Sequence, residues 1–360
     1  MNINEINLFV RVDASKETGD GHFIRCFTLA NRLKNKVNQI IFISNKLPLH
    51  FKNDIKKNNF KFKKINGYTH VQEDKYTKNY DELINNDIDA TVKILMKYGN
   101  KINWLLVDHY GLNDFWEKKI RKYVKNIIVI DDLADRKHDC DILIDQNYHH
   151  NKNSRYMKLI PCSTIQLLGP KYAIIRPQFN RIRKICKIRN QLKRILISFG
   201  GTDPTNETKK ALLGLCKMND RIKIDVVVGK SNPNKHEIKK ICLKNLNCKY
   251  YEQIENISKL MKNADLAIGG GGTMTWERCS MGLPTIIVSI SKDQENTAMI
   301  LDKKGCATNL GSHRNVFELD YQNAIKQNNS KKMSEMSKKC FLLVDGEGVN
   351  RIVDKIVDIR

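Results

Sequence analysis

Short apolar runs alternate with amphipathic stretches along almost the whole chain. INLFVRVD (6–13), QIIFIS (39–44), INWLLVDH (102–109), KNIIVIDD (125–132) and CDILIDQN (140–147) are apolar nearly throughout, and several are rich in β-branched residues. Such runs predict strands buried on both faces of a parallel sheet. Between them, HFIRCFTLANRL (22–33) and DFWEKKIRKYV (114–124) space their apolar residues as helices do. The first half therefore reads as a series of βα units.

The alternation lapses over RPQFNRIRKICKIRNQLK (176–193) and restarts with RILISFGGTDPTNETKKALLGL (194–215), followed by KIDVVVGK (223–230), LAIGGGG (266–272) and PTIIVSI (284–290). Each half opens with a strand, a glycine turn and a helix. We therefore expect an α/β protein of two Rossmann-like domains, 1–180 and 190–345, joined by a basic helix or loop. The amphipathic GVNRIVDKIVDI (348–359) places a terminal helix in 346–360, packing back on the N-terminal domain.

Composition narrows the function classes. With 360 residues and 41% hydrophobic content the chain can bury a large core. It has no apolar run long enough to span a bilayer. MNINEINLF lacks a basic segment followed by an apolar one, so no leader is expected and the cytoplasm is. The formal charge is +24, mostly lysine mixed with asparagine, as in KNDIKKNNFKFKK. Without an aromatic-interleaved motif this predicts a solvated basic surface that attracts anionic small molecules, not a nucleic-acid site. No pair among the ten cysteines has the two-residue spacing of a zinc or redox motif, so reduced, buried thiols are expected.

Four segments carry candidate chemistry. Gly19-Asp20-Gly21-His22 sits where the first strand turns into a helix. There His22 is either a capping side chain or a base near its unperturbed pKa of about 6.5. VDHYG (107–111) brings Asp108, His109 and Tyr110 to another strand's carboxyl end, the edge at which open α/β sheets bind ligands. Asp108 is placed to orient an imidazole and Tyr110 to hydrogen-bond a sugar, or the segment is a plain helix cap. Asp131, Asp132 and Asn147 close further strands, without a phosphate-binding lysine motif to suggest a metal. FGGTDPTN (199–206) offers Gly200 and Gly201 as a pyrophosphate cradle, with Thr202 or Asp203 capping the next helix. The costliest feature is the run of four glycines at 269–272 before Thr273 and Glu277. It makes sense where backbone approaches a ligand, with Glu277 one turn on to accept ribose hydroxyls.

The last segment resembles the nucleotide-binding half of GT-B glycosyltransferases, including the lipid II N-acetylglucosaminyltransferase. RVDASKETGDGHFIRCFTLANRL, LLVDHYGL, IDDLADRKHDCDILIDQN, LGPKYAIIRPQF and SFGGTDP occur in order between Arg11 and Ala298. Together they resemble the UDP-2,4-diacetamido-2,4,6-trideoxy-β-L-altropyranose hydrolases of pseudaminic acid biosynthesis. That resemblance implies a GT-B-like pair of domains facing a central cleft, with UDP on the C-terminal half. It implies hydrolysis of the UDP-linked diacetamido-trideoxyhexose by inverting attack of water at C1, with His22 as general base. Tyr110 and Glu277 match the family's tyrosine and UDP-contacting glutamate. The expected substrate-binding set is Arg11, Asp13, Gly21, Asp108, Tyr110, Arg176, Gly201, Thr202, Gly271, Gly272, Thr273, Glu277, Asp293 and Gln294. No metal, no cofactor, no nucleic acid and no membrane partner are expected, and the chain is expected to be a monomer. A GT-B transferase using a UDP-sugar donor is the alternative. One departure stands out: Asp293-Gln294 replaces the family's Asn-Gln pair, and an aspartate accepts hydrogen bonds but does not donate them when ionised.

Overall fold

The computed structural model describes residues 6–15, 19–65, 80–151, 154–218, 221–254 and 256–359. The chain packs as two compact units, Met1–Ile174 with Gly348–Arg360, and Ile175–Glu347.

Unit 1 contains β1 (Asn7–Val12), α1 (Gly21–Leu33), β2 (Gln39–Ser44), α2 (Leu49–Lys57), β3 (Lys61–Lys64), α3 (Tyr80–Leu95), β4 (Ile102–Asp108), α4 (Asp114–Arg121), β5 (Asn126–Ile130), β6 (Ile142–Asp145) and β7 (Ile165–Leu168). The seven strands are parallel in the order β3-β2-β1-β4-β5-β6-β7. Alternate residues of β1 go to opposite faces: Leu8 and Val10 join one apolar cluster, Phe9 the other. This is why the central strands read as unbroken apolar runs. The C-terminal helix, Gly348–Asp358, inserts Val349, Ile352, Val353 and Ile356 into the cluster that holds Leu29 and Leu33 of α1. Gly348 permits the approach, since a Cβ there would stand 2.3 Å from the Ala173 carbonyl oxygen.

Unit 2 contains α5 (Pro177–Arg183), β8 (Arg194–Ser198), α6 (Glu207–Cys216), β9 (Lys223–Val228), α7 (Lys235–Leu243), β10 (Cys248–Glu252), α8 (Ile257–Asn263), β11 (Leu266–Gly269), α9 (Met274–Ser280), β12 (Thr285–Ser289), α10 (Lys292–Lys303), β13 (Thr308–Ser312), α11 (Glu318–Gln327) and α12 (Ser330–Leu343). Its six parallel strands run β10-β9-β8-β11-β12-β13. Both sheets therefore reverse direction between their first and fourth strands, and that switch point is where Rossmann-like folds open a ligand crevice.

One boundary is corrected, and four strands join those the apolar pattern predicts. The N-terminal domain does not run to 180, because the segment expected at the junction belongs to unit 2. Phe179 is fully buried there, and Arg183 donates to the carbonyls of Ser280, Val344 and Phe341. The sheets also hold four strands with no strong apolar run: KFKK (β3), IQLL (β7), CKYYE (β10) and TNLGS (β13). All four are edge strands, where half the neighbours are missing and polar residues cost little. No helix among the described residues is long and apolar enough to cross a membrane.

Candidate active site

The switch point of unit 1 lies between β1 and β4, and the glycine turn after β1 delivers His22 to it. Gly19 takes φ +73°, a left-handed conformation that favours glycine, and its N–H bonds Ser15 O at 2.9 Å. Glu17 and Thr18 of this turn lie outside the described residues. Gly21 is the first residue of α1 and His22 the second.

The histidine is not a helix cap. Its Nδ1 stands 2.6 Å from Oδ1 of Asp108, the last residue of β4. A ring nitrogen that close to a carboxylate carries the proton, which leaves the lone pair on Nε2. Nε2 meets no polar partner among the described residues, and the side chain keeps 11% exposure. Tyr110 sets its ring edge-on to the imidazole, centroids 4.5 Å apart.

Asp108 is held from behind by Arg25, one turn along α1 from His22. Arg25 Nε donates to Oδ2 at 2.5 Å and Nη2 to Oδ1 at 2.7 Å. Burial pushes the Asp108 carboxyl up, but the Arg25 guanidinium and His22 outweigh it and hold it well below the usual carboxylate range. Arg25 Nη1 reaches across to Asp132 at 2.5 Å, and Asp132 also accepts from the Tyr110 hydroxyl at 3.0 Å and Asn147 Nδ2 at 3.0 Å. Burial, with Asp145 and Asp108 nearby, raises the Asp132 carboxyl despite Arg25. His22, Asp108, Tyr110, Arg25, Asp132 and Asn147 thus form one connected polar cluster at the strands' carboxyl ends. Arg25 was not singled out in the sequence. The available signal was its three-residue spacing from His22, which puts both on one helix face.

Arg11 and Asp13, expected to bind substrate, are scaffold instead. Arg11 is fully buried and pairs with Asp13 at 3.0 Å and with Asp87 at 2.7 Å. Asp13 accepts from Ser44 Oγ, the Asn45 N–H and the Lys46 N–H, and its Oδ2 faces His109 Nε2 at 3.2 Å. His109 Nδ1 accepts the Gly111 N–H, and burial pushes its pKa down. These groups lock β1, β2, α3 and β4 together. Asp131 is likewise internal, ion-paired to Arg136 at 2.9 Å. Among the described residues no group of three or more His, Cys, Asp or Glu is placed to hold a metal ion.

In unit 2 the loops after β8 and β11 flank its own switch point. Gly200 takes φ +92°, and Asp203 caps α6 by accepting the N–H groups of Glu207 and Thr208, both at 2.9 Å. Gly201 and Thr202 stay half-buried, and Thr202 makes no hydrogen bond among the described residues. The four glycines have different reasons. A Cβ on Gly269 would stand 2.4 Å from Ser198 O and 2.3 Å from Arg278 Nη1. Gly271 packs on Gln294 and donates to its Oε1 at 2.8 Å. Gly272 lies more open, with Gln294 Nε2 3.6 Å from its would-be Cβ. Gln294 therefore braces the loop with its oxygen while its amide nitrogen stays available on the Gly272 side. Thr273 is half-buried at the N-cap of α9. Asp293 is exposed in the first turn of α10, with no partner among the described residues. Glu277, buried, takes a two-pronged ion pair from Arg176, Nε at 2.6 Å and Nη2 at 2.9 Å.

Comparison with known proteins places this architecture. The glycosyltransferase family 28 C-terminal domain matches residues 196–354. MurG of Acinetobacter baumannii superposes with a TM-score of 0.68 over 98% of this chain and 99% of that one, at 13% identity. The Anabaena protein HepE, solved with UDP and glucose, gives 0.58 over 98% and 99% at 10% identity. These likenesses define the fold as GT-B-like. Among curated proteins, an uncharacterized protein of Methanocaldococcus jannaschii is 28% identical over 88% of this chain, and the spore coat polysaccharide biosynthesis protein SpsG of Bacillus subtilis 29% over 53%. The matches span 62% and 58% of those two relatives' lengths. The UDP-2,4-diacetamido-2,4,6-trideoxy-beta-L-altropyranose hydrolase of Campylobacter jejuni is 30% identical over 57% of this chain and 73% of its own length. The chain belongs to the family of that Campylobacter protein, a GT-B, family-28-like one.

Proposed function

We propose that this chain hydrolyses a UDP-linked 2,4-diacetamido-2,4,6-trideoxyhexose, releasing the free sugar and UDP. The observation that carries the reading is the His22–Asp108 pair, an imidazole whose Nδ1 is fixed on a buried carboxylate and whose Nε2 has no partner among the described residues. His22 Nε2 removes a proton from water as its oxygen attacks C1. The C1–O bond breaks, its electron pair leaves with UDP, and the anomeric configuration inverts. Asp108 keeps the reactive tautomer and stabilises the imidazolium, the role a buried carboxylate plays beside any catalytic histidine. Tyr110, anchored on Asp132, limits where the sugar sits.

UDP is assigned to unit 2. Backbone amides of Gly201, Gly272 and Thr273 meet the diphosphate, with the Thr202 hydroxyl and the Gln294 amide as added donors, while Gly271, its N–H spent on Gln294, shapes the loop. Glu277 accepts from ribose with the lone pairs that Arg176 leaves unused. Asp293 is assigned to the sugar, where an acceptor is useful, and not to the phosphates, which would repel it. The enzyme is placed in the cytoplasm, acting as a monomer on a small molecule and needing no metal. Support for water as the acceptor comes from the Campylobacter relative's name and from the ordered motifs between Arg11 and Ala298.

The family 28 domain match and the likeness to MurG favour a second reading, transfer of a sugar from a UDP donor to an acceptor hydroxyl. Incubation with the UDP-sugar alone separates the two. A hydrolase releases UDP promptly, and NMR of the first product formed shows the inverted anomer. UDP release that stays slow until an acceptor is added overturns the hydrolase reading.

A further inference from the structure

Unit 2 contains an arginine that no carboxylate among the described residues pairs with directly. Arg278 is 2% exposed, and the nearby acid Glu277 acts on it only at a distance. The other deeply buried arginines are spent: Arg11 on Asp13 and Asp87, Arg25 on Asp108 and Asp132, Arg136 on Asp131, and Arg189 on backbone carbonyls. Arg278 Nη2 donates to Gly270 O at 2.5 Å and to Thr275 Oγ1 at 2.9 Å. Nε, buried, has no hydrogen-bond partner among the described residues. The neighbouring acid, Glu277, is already held in two-pronged fashion by Arg176, so the trio keeps one net positive charge. Burial pulls the Arg278 pKa down to about 10, which leaves it a cation at neutral pH. A buried, uncompensated charge is among the costliest groups a core can hold.

Its position suggests what compensates it. Nη1 lies against the backbone at Gly269, close enough that any side chain there would collide with it. The Gly270 carbonyl is turned onto the guanidinium and the Gly271 N–H onto Gln294, so the peptide between them is held at both ends. We infer that Arg278 is the buried counter-charge for the diphosphate of a nucleoside-diphosphate ligand seated on loop 270–273. It is a positioning residue. It acts through the loop it pins and through the field of an unscreened cation beneath that loop, without touching the ligand. The inference rests on the assignment of UDP to this loop.

The test measures UDP and uridine affinity by calorimetry for the full chain and for Arg278→Gln, Arg278→Met and Arg278→Lys, with ligand-free thermal midpoints. Glutamine keeps a polar amide but removes the charge and stops where the arginine Nε stands, so it also gives up the Nη2 bonds to Gly270 and Thr275; methionine removes the charge with no polar group at all. We expect Arg278→Gln and Arg278→Met to bind UDP at least tenfold more weakly, with uridine changed less than twofold and the ligand-free midpoint not lowered. Arg278→Lys, still cationic, should stay within about threefold of the parent for UDP, because the charge and not the fork geometry is what the diphosphate meets. Equal weakening of UDP and uridine, or an unchanged UDP-to-uridine ratio in both neutral variants, overturns the inference. So does a lysine variant as impaired as the glutamine one. If methionine at this site prevents folding, the glutamine and lysine variants carry the comparison. A parent protein that binds uridine as tightly as UDP overturns the assignment of the loop itself, and the role of Arg278 with it.

Discussion

His22 carries its proposed role because of what holds it. Asp108 fixes Nδ1, and Arg25 keeps Asp108 ionised although it is buried. His22→Asn retains size and polarity but has no basic nitrogen. We expect it to lower UDP release from the UDP-sugar by roughly 10²- to 10⁴-fold, the usual share of general base catalysis. UDP affinity and thermal midpoint should stay near those of the parent, and near-parental turnover would remove His22 from the chemistry. Residues of this kind were legible in part. His22, Asp108 and Tyr110 stood out because glycine turns and strand ends mark where an α/β sheet opens. Arg11 and Asp13 look the same in sequence, a charged pair at a strand's end, yet they face Asp87, Ser44 and His109 inside the unit. Arg25 and Arg278 lay inside helical patterns, where an arginine reads as surface until the burial of its neighbours is known.

At the scale of elements, the glycine loops depend on strands packed without side chains between them. Gly229, just past β9, is one such contact: a Cβ there would stand 2.0 Å from Gly201 O, and the nearest atoms are all backbone. Gly229→Ala must therefore shift the loop after β8. We expect a loss of about 1–3 kcal/mol in stability, typical of overpacking. Weaker UDP binding should accompany it, read by thermal unfolding and calorimetry on the same sample, and an unchanged UDP affinity would detach this loop from the ligand. Element order was readable wherever a strand is flanked on both sides, as β1, β2, β4, β5, β6, β8, β9, β11 and β12 are. Those strands need apolar residues on both faces. The edge strands β3, β7, β10 and β13 do not, and their sequences gave no such signal. The amphipathic C-terminal stretch was equally clear, and the apolar face of its helix is the one that closes over α1.

For the whole molecule, charge burial makes the two units respond to acid differently. In unit 1, Asp13, Asp108 and Asp131 are all held below the usual carboxylate range. A lowered folded-state pKa contributes stability that is complete above the unfolded value of about 3.9 and is lost as pH falls below it. Asp132 and Asp20 oppose this, since burial raises both and a raised pKa makes acid favourable to the fold. In unit 2, Asp203 and Glu207 are raised, so their linkage also has the opposite sign. Limited proteolysis at stepwise lower pH, with fragments assigned by mass, should open unit 1 before unit 2; the reverse order contradicts this balance. The sequence by itself determined the α/β class, the two halves, the glycine turns and the helix that follows each turn, because apolar periodicity and φ preferences act over a few residues. Only the tertiary structure decided which charges meet. His22 reaches Asp108 across 86 residues, Arg25 reaches Asp132 across 107 and Arg176 reaches Glu277 across 101. Those meetings depend on strands β1 and β4, or β8 and β11, lying side by side, and on which side chains the packed sheet and helices leave no water to solvate.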